Sequence, residues 1–261
     1  MPPIEPSRLG RTRRRSRLTV LGAATAAAVA LTAGLLANAR QSPADSPDVL
    51  LGHGADHLPS STASDWVTYA DHVVAVTAAE ESEIAPTAVE LERGEGTIGR
   101  TVTLTVDKVL WSRPDAPRPA PDVWEYSATG WQFLDGDTGN RTKMALVDQP
   151  RVETGHRYVM AITWEEARCS PGDVPEPAQW RGLGEGSEVP FDNGILGRGE
   201  LEGHVRSAAR HRSAAHAADE GATLEHQLAG RGEGALVEAL NAATPRTPEV
   251  SGFVPRSEGC A

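Results

Sequence analysis

Lysine is nearly absent from this chain, cysteine occurs twice, and no motif that names a reaction is present. Gly-x-Ser-x-Gly is missing, so Ser187, which follows Gly186, has no nucleophile elbow around it. The runs Gly182–Gly186 and Gly230–Gly234 lack the Gly-x-Gly-x-x-Gly spacing and put Glu185 and Glu233 where a phosphate would sit; a carboxylate there repels the ligand, which excludes a nucleotide loop. Positive charge is scarce in most of the chain. Residues 1–39 take six Arg and one Glu, which leaves 19 basic against 35 acidic residues and a net charge of −16 beyond them. A body that acidic has no electrostatic reason to bind nucleic acid.

What is present begins with the first forty residues. Arg11, Arg13, Arg14, Arg15 and Arg17 run into an uncharged apolar stretch, Leu18–Ala37. A cationic flank before a hydrophobic run directs a chain to the export machinery with the basic end held inside. The stretch is long enough to span a bilayer, which takes ~20 apolar residues. It is also rich in Ala, Gly and Thr and ends in Ala37-Asn38-Ala39, the small-x-small pattern that a signal peptidase cuts. Both outcomes stay open: a single-pass anchor through residues 18–37 with the C-terminus outside, or secretion after cleavage following Ala39. No Cys follows the run, which excludes a lipid-modified anchor. The two cysteines, Cys169 and Cys260, both fall in the exported part, where an oxidising compartment and an even count favour a disulfide over a free catalytic thiol.

The expected organisation is a basic flank over 1–17, a signal-anchor or signal peptide over 18–39 and a Pro/Ser/Asp/Gly-rich linker over 40–64. A β domain over 65–200 follows, then a solvated His/Arg-rich insertion over 201–222, a helical segment over 223–244 and a tail over 245–261. Strands are expected at His72–Thr77 and at Thr101–Trp111, where Val102, Leu104 and Val106 alternate with threonines. Val123–Phe133 is a third, with Gly130 a bulge or turn. Tyr158–Trp164 is apolar on both faces and reads as a central buried strand, and Val189–Leu196 as a last short one. Pro114, Pro117, Pro119 and Pro121 make Arg113–Asp122 an extended loop. Leu224, Leu228, Leu236, Val237 and Leu240 suit helices broken by a Gly loop and ended by Pro245. Short strands spaced by turn residues predict a mainly β fold, a small antiparallel barrel or sandwich with a C-terminal helix, preceded by the N-terminal transmembrane or signal helix.

Candidate chemistry is thin. His53 and His57 lie four apart with Asp56 between them, but the flanking glycines argue against a helix and no third ligand is evident. His204, His211 and His216 are interleaved with Arg206, Arg210 and Arg212, surroundings that disfavour a divalent ion. Glu165 and Glu166 follow a strand and point to opposite faces, so they do not converge as an acid/base pair. No metal and no cofactor is expected. The aromatic set stands out, with six Trp against three Phe and three Tyr. Trp124, Tyr126, Trp131 and Trp180, with Phe133 and Trp164 beside them, either line a sugar- or peptide-binding groove or fill a core short of Leu and Ile, the core being the more usual use.

Ala70-Asp71-His72-Val73-Val74, the Val109-Leu110-Trp111 strand end, the Gly155–Tyr158 strand entry and the Pro190–Gly194 segment together resemble uncharacterised exported or membrane-anchored bacterial proteins of high-GC Gram-positive type. The resemblance covers about residues 65–200 and implies a small OB- or netrin-like β domain, with no catalytic residues to carry over. The expected function is a non-catalytic exported envelope module that binds a protein or a cell-wall component. The alternative is an envelope hydrolase whose acidic catalytic residues are unidentified.

Overall fold

Alternation along two strands explains how this chain packs. A computed structural model describes residues 49–54, 58–167, 176–208 and 223–248. In β2 (His72–Ile84) the side chains of Val73 and Ala75 go to one side of a sheet while Val74, Val76 and Ala78 go to the other. β6 (Arg157–Glu165) does the same, with Val159 and Ala161 on the first side and Tyr158, Met160 and Ile162 on the second. Residues 72–78 of β2 and residues 158–162 of β6 are buried on two faces, which is why β6 reads as apolar throughout.

Around this pair lie β1 (Val49–Gly52), β3 (Gly96–Ser112), β4 (Val123–Leu134), β5 (Asp137–Leu146), β7 (Gln179–Gly182) and β8 (Glu188–Pro190). The sheet order is β1-β5-β4-β3-β2-β6-β7, with β8 also on β6. Every pairing is antiparallel except β1 on β5, which is parallel. The fold is therefore mainly β, as expected, but the sheet is mixed and does not close into a barrel. The four-residue strands β1 and β7 end it at opposite edges and do not pair with each other. Nor is it a sandwich. Among the described residues the second sheet is only the hairpin of β9 (Gly199–Leu201) and β10 (His204–Arg206). Helices cover one face instead: Trp66 and Val67 of α1 (Ala63–Tyr69), Leu224 of α3 (Leu224–Leu228), and Leu236 and Leu240 of α4 (Glu233–Ala242) pack on Val73, Ala75, Val159 and Ala161.

Several elements depart from the sequence reading. Within the stretch read as a linker, Val49–Gly52 is a strand and residues 58–62 are docked. Leu58 N–H donates to Leu183 C=O at 2.9 Å, and Trp66 Nε1 donates to Ser60 C=O at 2.6 Å. Thr62 then caps α1 reciprocally with Asp65, each side chain accepting from the other's backbone N–H at 3.1 and 2.9 Å. β2 runs on to Ile84 and β3 begins at Gly96, with α2 (Ala88–Arg93) at the connection. This outer arm carries Glu80, Glu81 and Glu83 and is held by ladder hydrogen bonds rather than burial, so no apolar pattern marks it.

The start of the expected insertion is the β9–β10 hairpin, with Glu200 and Leu201 buried. The C-terminal segment follows expectation: a short α3, a turn through Gly230, then α4 ending before Pro245. All described residues fall in one compact unit. Residues 1–39, Cys169, Cys260, His57, His211 and His216 lie outside the described residues, and so do the expectations that rest on them. Among the described residues no helix is long and apolar enough to cross a membrane.

Candidate binding site

Residues two apart on a strand share a face, so β4 presents Trp124 with Tyr126, and β7 presents Trp180 with Gly182. Three strands separate β4 from β7 in the sheet. The sheet nevertheless bends until Trp124 Nε1 donates to the Trp180 carbonyl at 3.1 Å. A side chain, not a ladder, bridges the gap, and a cavity of about 260 Å³ remains between the two strands. Its wall includes Trp124, Tyr126, Trp180, Gln149, Arg181 and Glu188. The Trp124 and Tyr126 rings meet edge to face with centroids 5.3 Å apart. Trp180 is braced from behind by Trp164 at 5.3 Å and by His72 at 5.4 Å.

Glu188 is the buried carboxyl of this wall, 6% exposed. Its neighbour Val189 belongs to the helix-covered core, so alternation turns Glu188 to the cavity side, where it pairs in register with Met160. Tyr126 Oη donates to Glu188 Oε1 at 2.7 Å. Burial pushes the Glu188 carboxyl up to about 7; the Tyr126 hydrogen bond opposes this and the nearby Glu200 adds to it. Burial first, and then the Glu188 charge, hold the Tyr126 phenol well above its usual value, so it stays protonated and donates. Glu188 Oε2 is buried with no hydrogen-bond partner, and so is Nε2 of Gln149, a residue 7% exposed. Glu188 Oε2 and Gln149 Nε2, orphaned polar atoms of complementary character on residues that line one aromatic-walled cavity, are the main feature of the site, while Arg181 Nε, also without a hydrogen bond, is ion-paired with Glu165 at 2.6 Å.

A second polar cluster lies behind the first and is fully engaged. Glu200 accepts from the backbone N–H groups of Arg151, Val152 and Gly203 at 3.1, 3.0 and 2.6 Å and from Tyr158 Oη at 2.9 Å. Arg100, wholly buried, donates to Glu81 at 2.6 Å and to the carbonyls of Thr129 and Arg151 at 2.9 and 2.5 Å. Such saturation marks a structural network.

The aromatic residues singled out in the sequence divide between these two places. Trp124, Tyr126 and Trp180 converge on the cavity. Trp131 does not: it packs with Ile98 and Phe133 beneath the guanidinium groups of Arg141 and Arg151, 4.1 and 4.9 Å from its ring centre. Glu165 and Glu166 diverge, the first to Arg181 at 2.6 Å and the second to Trp164 Nε1 at 2.8 Å. His53 lies on a neighbouring cavity and His204 in β10. Among the described residues no group of three or more His, Cys, Asp or Glu side chains is placed to hold a metal ion.

Sequence reasoning missed Glu188 and Gln149. The only signal for Glu188 was its place beside the expected strand at Val189, and a Glu there is ordinarily assigned to solvent. Gln149 sits in the loop after β5, where nothing in the sequence marks it. Comparison with known protein families, curated proteins and solved structures finds no match to this chain.

Proposed function

We propose that this chain is a non-catalytic module of the cell envelope whose β domain binds a protein or cell-wall partner through the Trp124–Tyr126–Trp180 cavity. Its basic and apolar leader supports export, with tethering through residues 18–37 or release after Ala39, and the resemblance to exported bacterial proteins supports the same setting. One observation carries the binding role. Glu188 Oε2 and Gln149 Nε2 are buried without partners on an aromatic wall, an arrangement that costs stability in the free protein and is recovered when a ligand supplies the missing hydrogen bonds.

The test is retention of the full-length protein on purified, insoluble cell wall, alongside crosslinking in membranes of its host. Trp180→Ala should lower retention or the yield of one specific crosslink about tenfold with folding intact, as truncating an aromatic anchor does. Equal retention and crosslinking by the variant and the parent protein sink the proposal.

The hydrolase reading has one observation in its favour. A carboxyl held at about 7 suits a general acid at neutral pH. Under that reading Glu188→Gln abolishes turnover of an envelope polymer, by roughly 10²–10⁴-fold for a lost general acid. Of the other wall carboxyls, Glu125 is exposed and accepts from the Thr103 hydroxyl at 3.0 Å.

A further inference from the structure

The charge and hydrogen-bonding character of the cavity wall restrict what fits. Among the described residues, Glu125, Glu185 and Glu188 contribute carboxyl groups to the wall, against a single guanidinium from Arg181. That guanidinium is already engaged by Glu165 at 2.6 Å and by Glu176 at 3.2 Å. An anionic ligand such as a phosphate or a uronate would meet like charge, with no uncommitted cation among the described wall residues to offset it.

The orphaned atoms narrow the class further. Gln149 Nε2 can only donate, so the ligand must accept there. Glu188 Oε2 accepts when the carboxyl is ionised and can donate when it is protonated. A quaternary ammonium suits aromatic rings and a carboxylate, but gives the Gln149 amide no acceptor. A purely apolar ligand leaves both atoms desolvated and unpaired. A hydroxyl group donates and accepts, so neighbouring hydroxyls on one ring answer both atoms in either state of the carboxyl. A sugar ring also carries an apolar C–H face that stacks on an indole or phenol ring. At about 260 Å³ the cavity falls just under the ~300–1,000 Å³ of drug-sized pockets, room for one ring with the rest of a chain in solvent.

We infer that the cavity between β4 and β7 takes an uncharged pyranose unit of a glycan, with its apolar face on the aromatic wall and its hydroxyls on Gln149 Nε2 and Glu188. The inference rests on the cavity being the recognition site. It names the partner as saccharide rather than protein and as neutral rather than acidic.

The experiment is calorimetric titration of the full-length protein in detergent. The probes are cellotriose, maltotriose and N,N′,N″-triacetylchitotriose as neutral sugars, glucuronate as an acidic one, and choline as a cation. At least one neutral trisaccharide should bind saturably, with glucuronate and choline silent. Gln149→Met, which keeps the volume and removes the donor, should weaken that binding by up to about tenfold, with an unchanged thermal melt. Trp180→Ala should weaken it further. Silence of all three neutral sugars overturns the inference, as does stronger binding of glucuronate or choline, or sugar binding indifferent to Gln149→Met and Trp180→Ala alike. These outcomes are separable from failure of the broader reading. If wall retention still depends on Trp180 while the neutral sugars are silent, only the ligand class is wrong; if Trp180 is irrelevant to retention and crosslinking, the cavity is not the recognition site.

Discussion

Glu188 and Glu200 show how two buried carboxyls on one side of a sheet come to do different work. Both are raised by burial. Glu200 is surrounded by donors, and one of these belongs to Val152, a β-branched residue held at φ 56°. A side chain of that shape in the left-handed region costs of order 1–3 kcal/mol, which the surrounding hydrogen bonds must offset. Glu200→Ala should therefore destabilise the protein by roughly 3–5 kcal/mol in urea denaturation, because several buried donors lose their acceptor together; a loss under about 1 kcal/mol would show the network to be dispensable. Glu188 has one donor and an unpartnered oxygen, and its carboxyl rises from 4.5 to about 7. The folded state thus holds this proton more tightly than the unfolded state does. Stability should fall as pH climbs from 4.5 to about 7, by on the order of 3 kcal/mol from this group. The difference between the parent protein and Glu188→Gln in melts across that range isolates the effect; parallel curves would show that Glu188 does not titrate there. Neither role was legible in the sequence, since Glu at 188 and Glu at 200 look alike until their donors are placed.

Among the elements, legibility followed burial and punctuation. The two C-terminal helices were readable because leucines at helical spacing are broken by Gly230–Gly234 and stopped by Pro245. The β4–β5 hairpin was missed although its turn is Asp135-Gly136, a pair that takes positive φ readily and here has φ 57° and 71°. β5 itself is polar and mostly exposed, so apolar alternation never announced it. The cap of α1 makes a local prediction. Thr62→Ala removes the hydroxyl that accepts from Asp65 N–H, and should cost about 1 kcal/mol, with faster amide exchange confined to the start of α1. Two glycines should respond in opposite directions. Gly130 faces the register shift between Ile98 and Arg100, and a Cβ there would sit 1.8 Å from the Ile98 carbonyl oxygen. Gly130→Ala must displace that strand and should cost about 3 kcal/mol or more. Gly234 lies inside α4 with open space around it, so Gly234→Ala should stabilise by up to about 1 kcal/mol. Equal melting temperatures for the two variants would contradict this assignment of the bulge.

For the whole molecule, the boundary of the folded unit is the consequential difference from the sequence reading. Composition marks 40–64 as a linker, yet β1 closes the sheet edge beside β5, and Gly186 N–H donates to Ser60 Oγ at 2.9 Å. A chain begun at Val49 should remain soluble and melt as the longer protein does. One begun at Asp65 loses β1, the cap of α1 and the Ser60 contacts, and should melt well below it or aggregate; matching melts would return the segment to the status of a tether. By itself the sequence determined the mainly β class, the burial of β6 on both faces, the proline loop and the C-terminal helices, because each of these follows from local periodicity or from backbone chemistry that needs no distant partner. It also determined the acidic body, which is a sum over residues. Only the tertiary structure decided that the sheet stays open, that Trp124 and Tyr126 meet Trp180 while Trp131 does not, and that Glu188 and Gln149 face the same cavity. Those facts depend on how far the sheet bends before β4 reaches β7. That bend is set by packing among residues dozens of positions apart, which no local pattern encodes.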